Sequence, residues 1–189
     1  PRALALTRPQ NWLAGSVLLL GGIFLAGQAV AQDLVKSHGY SYFGDLKYTA
    51  DFAHLDYVNP DAPKGGEIAE WAPGTFDGYN PYFRGGNTAV LSTIPFEAIV
   101  TTTADDPTAL YCYLCTTMEY PQDVSFVIFN LRHDVTFSDG SPMTAEDIKF
   151  SYDTFMEQGL PEFRAAFAGQ NTEVEVLDPY QIRHPSGAT

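Results

Sequence analysis

Cys112 and Cys115 are the chain's two cysteines, and they stand in a C-x-x-C spacing. Thiols so placed can exchange a disulfide, as in thioredoxin-like redox motifs, or supply half of a zinc site. Neither chemistry finds its usual surroundings. No strand–helix–strand pattern brackets the pair, and no second C-x-x-C or histidine pair completes four ligands. Tyr111, Tyr113 and Leu114 make an apolar setting in which a thiol is inert. That setting favours two packing residues. A local disulfide in an oxidising compartment, and a redox or metal role, are the alternatives.

Other reactive groups are dispersed. His38, His54, His133 and His184 form no H-E-x-x-H pair, and neither G-x-S-x-G nor G-x-x-x-x-G-K-[ST] occurs. His54 and Asp56 could share one face of a strand, an arrangement that is ordinarily a surface hydrogen bond. Asp and Glu total 23, yet no two stand together in an apolar stretch that would split their pKa values. This inventory points to binding without catalysis. A secreted enzyme whose catalytic half lies beyond Thr189 is the second reading, and a redox module on Cys112 and Cys115 the third.

Residues able to grip a ligand are easier to find. The stretch after Trp71 is dense in Gly, Asn, Pro and aromatics, with Phe76, Tyr79, Tyr82 and Phe83 close together. Aromatic rings give large contact area at small entropic cost. Glu67 to Trp71 reads as a first strand, so Gly74, Thr75, Phe76 and Asp77 fall where α/β clefts bind ligands, beyond a strand end. The competing readings are an ordinary connecting loop and core packing of the rings. No metal or cofactor is expected.

The elements that must carry these residues follow from pattern and punctuation. Residues 32–63 read as an ordered wrap ending in Asn59-Pro60-Asp61-Ala62-Pro63. Val90, Leu91, Ile94, Ala98 and Ile99 suggest a helix over 88–101, which Pro95 breaks near Ile94. A strand or loop covers 110–120. Val124 to Leu131 is apolar on both faces and predicts a central strand covered on each side. A short strand over 135–137, a Ser138–Ser141 turn and a helix starting at Thr144 come next. Thr144 and Asp147 make a capping box, while Ile148, Tyr152, Phe155 and Met156 give one buried face. Gly159 ends that helix, Pro161 starts a short one, and strands follow over 173–177 and 180–183. The layout is mixed α/β.

Composition bounds the partners. The net charge of −13 repels phosphate backbones and anionic membranes, so nucleic acid is excluded as a partner. With 45% hydrophobic and 17% charged residues, a packed core is attainable. Residues 1–31 have the order of a secretory signal: Arg2 and Arg8, an apolar run from Trp12 to Ala26, then Ala29-Val30-Ala31. Cleavage is expected after Ala31, and losing two arginines takes the charge from −13 to −15. An uncleaved anchor and a buried helix are the alternatives. Gln28 stands where a lipoprotein box needs cysteine, so a free mature protein is expected.

The run from Phe129 to Ser151, FNLRHDVTFSDGSPMTAEDIKFS, resembles the signature of the family 5 extracellular solute-binding proteins. His38 to Tyr48, Phe52 to Pro60, Ala62 to Gly66, Gly74 to Asp77 and Glu173 to Asp178 resemble the subgroup that carries oligopeptides and microcin C-type peptides. The resemblance implies a periplasmic binding protein type II-like α/β fold with a mixed sheet, of which residues 32–189 hold part of lobe I. It implies a peptide ligand gripped between two lobes by a hinge motion, and an ABC permease in the inner membrane as the receiver. A monomer in the periplasm is expected. Gly78-Tyr79 stands where the family has small-Leu, Cys112 and Cys115 are unexpected there, and His184 to Thr189 do not continue the expected strand.

Overall fold

The computed structural model describes residues 33–82, 85–167 and 173–185. The proposed signal segment, 1–31, lies outside the described residues, as does Phe83.

Two antiparallel sheets are built from one chain that passes between them twice. β1 (Val35–Ser37) and β2 (Gly39–Ser41) are separated by His38 alone. β3 (Val100–Thr103), β4 (Asp106–Cys112), β5 (Cys115–Tyr120) and β6 (Phe126–Leu131) follow, then α1 (Ala145–Gln158), α2 (Pro161–Ala166), β7 (Glu175–Asp178) and β8 (Gln181–Pro185). The five-stranded sheet runs β1-β5-β6-β8-β7 and the three-stranded sheet β2-β4-β3. Every ladder is antiparallel. The parallel component expected of the sheet is confined, among the described residues, to an isolated bridge between Gly78 and Thr88.

Strand alternation sorts the five-stranded sheet into two faces. Phe129 and Leu131 of β6 and Ile182 of β8 turn towards α1, joining Leu114, Met143, Ala145, Tyr152 and Val174 in the main core. Leu131, Val174 and Ile182 are 2%, 1% and 0% exposed. Burial of a side chain of this size stabilises by about 1.5–3 kcal/mol. The opposite face was expected to be apolar and covered. Phe126 and Ile128 are half-buried there, the Phe126 ring under the Arg183 guanidinium at 4.1 Å, and they share the face with a polar row. The Lys36 ammonium donates to Glu119 at 2.7 Å, Asn130 Nδ2 donates to Thr117 Oγ1 and Glu119 Oε1 at 3.0 Å each, and Gln181 Nε2 donates to Asn130 Oδ1 at 2.8 Å. Asn130 sets this outcome: one residue between Phe129 and Leu131 supplies both donor and acceptor to its cross-strand neighbours.

α1 forms where the cap chemistry predicts. Asp147 Oδ2 accepts the Thr144 N–H and hydroxyl at 2.8 Å each, closing the capping box. Ala145 N–H donates to Pro179 O at 2.9 Å, which ties the helix start to the β7–β8 turn. Ile148, Tyr152 and Met156 face the core, and the helix stops at Gly159. A Cβ at Gly159 would collide with the Phe155 carbonyl, so the position demands glycine. Pro161 occupies the first turn of α2, whose Phe163 packs on Tyr152 and Phe155.

Several expectations are corrected. Residues 67–71 form no strand: Ile68 and Trp71 are each 85% exposed and Gly65 and Gly66 hold positive φ. Residues 88–101 form no helix. Turns run through 90–95, with Leu91 at φ 64°, and the segment ends in β3. Apolar spacing loses there to Pro95, whose ring removes a helical donor. Residues 110–120 make two strands, not one. Thr136 and Pro142 make an isolated bridge in place of a strand over 135–137. The 32–63 wrap contributes β1 and β2 to the two sheets. His184 and Pro185 continue β8, paired with Val127 and Phe126.

A second, smaller core secures that wrap. Tyr48 and Tyr111 are 5% and 4% exposed and pack with Ala109. The Tyr48 hydroxyl donates to Asp105 Oδ2 at 2.6 Å, and Lys47 Nζ reaches Asp105 at 2.5 Å and Asp56 at 3.1 Å. These hydrogen bonds hold the Asp105 carboxyl down at about 2 and raise the Lys47 ammonium above its ordinary value. Asp56 therefore pairs with Lys47, and His54 lies on the Leu55 carbonyl at 3.0 Å, not on Asp56.

Candidate ligand cleft

A cleft of about 630 Å³ opens beside α1. One wall is the segment 95–99, including Phe96, Glu97 and Ile99. The floor is Leu114 and Met143. The opposite wall is Val135 to Ser138 together with Asp147, Ile148 and Ser151 of α1.

Each wall has a local cause. The 135–143 hairpin is closed by Phe137 N–H to Ser141 O at 2.8 Å, Gly140 N–H to Phe137 O at 2.9 Å and Met143 N–H to Val135 O at 3.1 Å. Gly140 takes φ 86°, the left-handed region that a side chain resists. Asp139 Oδ1 accepts the Ser141 hydroxyl and N–H at 2.6 and 2.9 Å, which lowers its pKa below the usual carboxylate range. Asp139, Gly140 and Thr144 are thus a turn and a cap. The 95–99 wall is fastened at the β4–β5 turn. Ile99 O accepts the Tyr113 and Leu114 N–H groups at 2.9 and 3.1 Å. The Tyr113 hydroxyl donates to Glu97 Oε1 at 3.0 Å, and that bond, with the carboxylate's charge, raises the phenol's pKa. Arg132 grips the same turn through Tyr113 O at 3.1 Å while its fork pairs with Asp134 at 2.9 and 2.7 Å.

Cys112 and Cys115 are joined in a disulfide at this turn, Cα to Cα 4.9 Å. The expectation of two packing thiols is corrected: the ends of β4 and β5 bring the sulfurs together across Tyr113 and Leu114. Bonded sulfurs carry no thiolate to offer a metal. Among the described residues no group of three or more His, Cys, Asp or Glu could hold a metal ion.

The cleft offers apolar walls with a few polar groups: Glu97, Thr136, Ser138, Asp147 and Ser151. Asp147 is occupied by its cap, and Ser151 donates to Asp147 O at 2.9 Å. Among the described residues no lysine, arginine or histidine lines it. Such a surface suits a neutral or partly apolar guest, met by contact and hydrogen bonds.

Gly74, Thr75, Phe76 and Asp77 lie outside the cleft lining. Gly74 holds φ 95°. Asp77 clasps its own loop: its N–H donates to Asn87 O, and Asn87 N–H donates to Asp77 Oδ2, both at 2.8 Å. Phe76 and Tyr79 meet at a tilt, ring centroids 4.8 Å apart, and are 50% and 72% exposed, so they are not core. Tyr82 connects this loop to the cleft, with its ring 5.7 Å from Phe96 and 4.6 Å from Phe155. Phe96, Glu97 and Phe137 were missed in the sequence. Their signal was faint: an aromatic and an acid after Pro95, inside a stretch whose spacing imitated a helix.

Residues 111–185 match the family model described as "Bacterial extracellular solute-binding proteins, family 5 Middle". The Escherichia coli (strain K12) protein named "Uncharacterized protein YejA" is 36% identical over 167 residues, covering 88% of this chain and 27% of that one. Two proteins of Agrobacterium fabrum are also similar. The "Peptidoglycan-binding protein YepA" is 36% identical over 176 residues, 89% of this chain and 27% of its own length. The "Probable peptide-binding protein YejA" is 36% identical over 141 residues, 75% of this chain and 22% of its own length. The chain thus spans about a quarter of the length of these relatives. The paired strands, the turn and the capped helix of 126–158 all lie inside the matched stretch, and residues 111–185 are thus a segment of the family 5 bacterial extracellular solute-binding protein type.

Proposed function

We propose that this chain is part of a periplasmic solute-binding protein that captures oligopeptide-like ligands and hands them to an ABC permease in the inner membrane, without altering them. One observation carries the reading: the floor and one wall of the cleft, Leu114, Val135 to Ser138, Met143 and the α1 residues, fall inside the stretch that matches the family model. An apolar hollow with few fixed charges suits ligands whose backbone is constant and whose side chains vary. A relative named as a probable peptide-binding protein supports the ligand class. Gly74, Thr75, Phe76 and Asp77 are proposed contacts at its margin, since their loop leads along the chain to Tyr82, whose ring meets Phe96 of the cleft wall. The segment 1–31 is proposed as the export signal, cleaved after Ala31, that delivers 32–189 to the periplasm as a monomer.

The relative named as peptidoglycan-binding favours a second reading, in which the peptide belongs to a cell-wall fragment. Calorimetric titration of the full-length gene product with tri- to pentapeptides, and separately with peptidoglycan stem peptides with and without sugars, separates the two. Binding on the order of micromolar to free peptides is expected. Heat only with the sugar-bearing fragments selects the second reading, and no heat with any probe removes both.

A further inference from the structure

Beside the packing of Ile99 on the main core and of Phe96 on Tyr82, the 95–99 wall of the cleft has few hydrogen-bonded attachments among the described residues. Among the described residues, the hydrogen bonds that tie it to the rest of the fold all end on the β4–β5 turn: Ile99 O to the Tyr113 and Leu114 N–H groups, and Glu97 to the Tyr113 hydroxyl. The other bond in the wall, Phe96 N–H to Thr93 O at 3.0 Å, is local. The wall then runs directly into β3, whose first residue, Val100, pairs with Cys112. The turn is only Tyr113 and Leu114, yet its two ends belong to different sheets, β4 to the three-stranded and β5 to the five-stranded one. Leu114 is also the cleft floor. One covalent link, Cys112 to Cys115, closes this turn.

We propose that the Cys112–Cys115 disulfide is a positioning pair for the cleft: it holds the Tyr113–Leu114 turn against Ile99, fixes the 95–99 wall, and releases that wall when a dithiol reduces it. The ligand-binding consequence rests on the proposed function; the movement of the wall does not.

The chemistry is thiol–disulfide exchange. Cys112 is half-buried and Cys115 is 3% exposed, so a reductant thiolate attacks the Cys112 sulfur. The S–S bond breaks, Cys115 leaves as a thiolate, and Cys112 is held in a mixed disulfide with the reductant. The reductant's second thiol displaces Cys112. Two electrons and two protons pass to the protein, giving two thiols, and the dithiol becomes a cyclic disulfide. Cys115 Sγ lies 3.4 Å from Ile99 O. While the disulfide is closed this is a contact, because the sulfur has no hydrogen. As a thiol it gains a donor aimed at an oxygen whose two lone pairs already serve Tyr113 and Leu114. Reduction therefore removes the closure and introduces a competitor for the bonds that hold the wall.

The test compares amide hydrogen exchange in the oxidised chain, the chain treated with dithiothreitol, and C112S/C115S. The Tyr113 and Leu114 amides are expected to exchange at least tenfold faster in both dithiol-like states, while the β6 and α1 amides keep their protection. Unchanged protection at Tyr113 and Leu114 overturns the proposal. So does an equal loss across β6 and α1, which would make the link a general staple. A second measurement reads the coupling. If a bound peptide from the tri- to pentapeptide set prefers the oxidised form tenfold, saturation lowers the pair's midpoint potential by about 30 mV, by reciprocity. A potential that ignores a bound peptide overturns the coupling to the ligand. Failure of every peptide to bind counts against the proposed function and leaves the exchange result to decide on the wall.

Discussion

Replacing Ile182 with alanine tests whether the core sits where the two faces of the five-stranded sheet place it. Ile182 is 0% exposed, pairs across β8 with Phe129 on one side and Val176 on the other, and belongs to the cluster under Tyr152. Three carbons are lost in a site closed on every side, so the lost burial and the cavity add: about 2–5 kcal/mol for Ile182→Ala and about 0.5–1.5 kcal/mol for Ile182→Val. Ile68, 85% exposed, is the matched control, and Ile68→Ala should stay within about 0.5 kcal/mol. Urea unfolding followed by far-ultraviolet circular dichroism reads the difference. With a urea slope of about 2 kcal/mol per molar, a loss of ~3 kcal/mol moves the midpoint by ~1.5 M. Equal shifts for Ile182→Ala and Ile68→Ala, or an Ile182→Ala midpoint matching that of the parent, would refute the assignment of faces.

Other outcomes follow from the same geometry. Asp147→Ala removes the acceptor of the Thr144 N–H and hydroxyl, and should cost about 1 kcal/mol in the same urea assay. Gly159→Ala puts a methyl against the Phe155 carbonyl and should cost about 0.5–3 kcal/mol, with α2 amides losing exchange protection first. Asp105 is held at about 2 by Lys47 and Tyr48, below its ordinary 3.8. A depressed carboxyl stabilises above its unfolded value and loses that contribution as pH falls, here between about 4 and 2. Carboxyl-carbon NMR should show Asp105 titrating near the lower end, and Asp105→Asn should remove the corresponding acid limb from the unfolding curve.

The stretch from β6 to α1 was legible because each step is a local decision. A continuous apolar run specifies a strand, Asp139-Gly140 a turn, and Thr144 with Asp147 a helix start, and each signal lies in neighbouring residues. The β7–β8 pair was legible for the same reason. Residues 67–101 were not. Val90, Leu91, Ile94, Ala98 and Ile99 keep a helical spacing, but Pro95 interrupts it and Val90, Leu91 and Ile94 are exposed in turns. The placing of ligand contacts at Gly74 to Asp77 assumed a strand ending at Trp71, and that strand does not form. The cleft itself could not be spelled out in advance. Its walls come from 95–99, 114, 135–138 and 143–151, brought together by register. The state of Cys112 and Cys115 also hung on register, since spacing alone does not say whether two strand ends converge.

His38 stands between β1 and β2, each bound for a different sheet. The partners of β1 lie at Met118 to Tyr120 and those of β2 at Ala109 to Tyr111, in both cases far along the chain. During synthesis β2 therefore waits with open backbone until the chain has grown past Tyr111, and β1 until it has grown past Tyr120. Both pairings close long loops, so both belong to the late, slow part of folding.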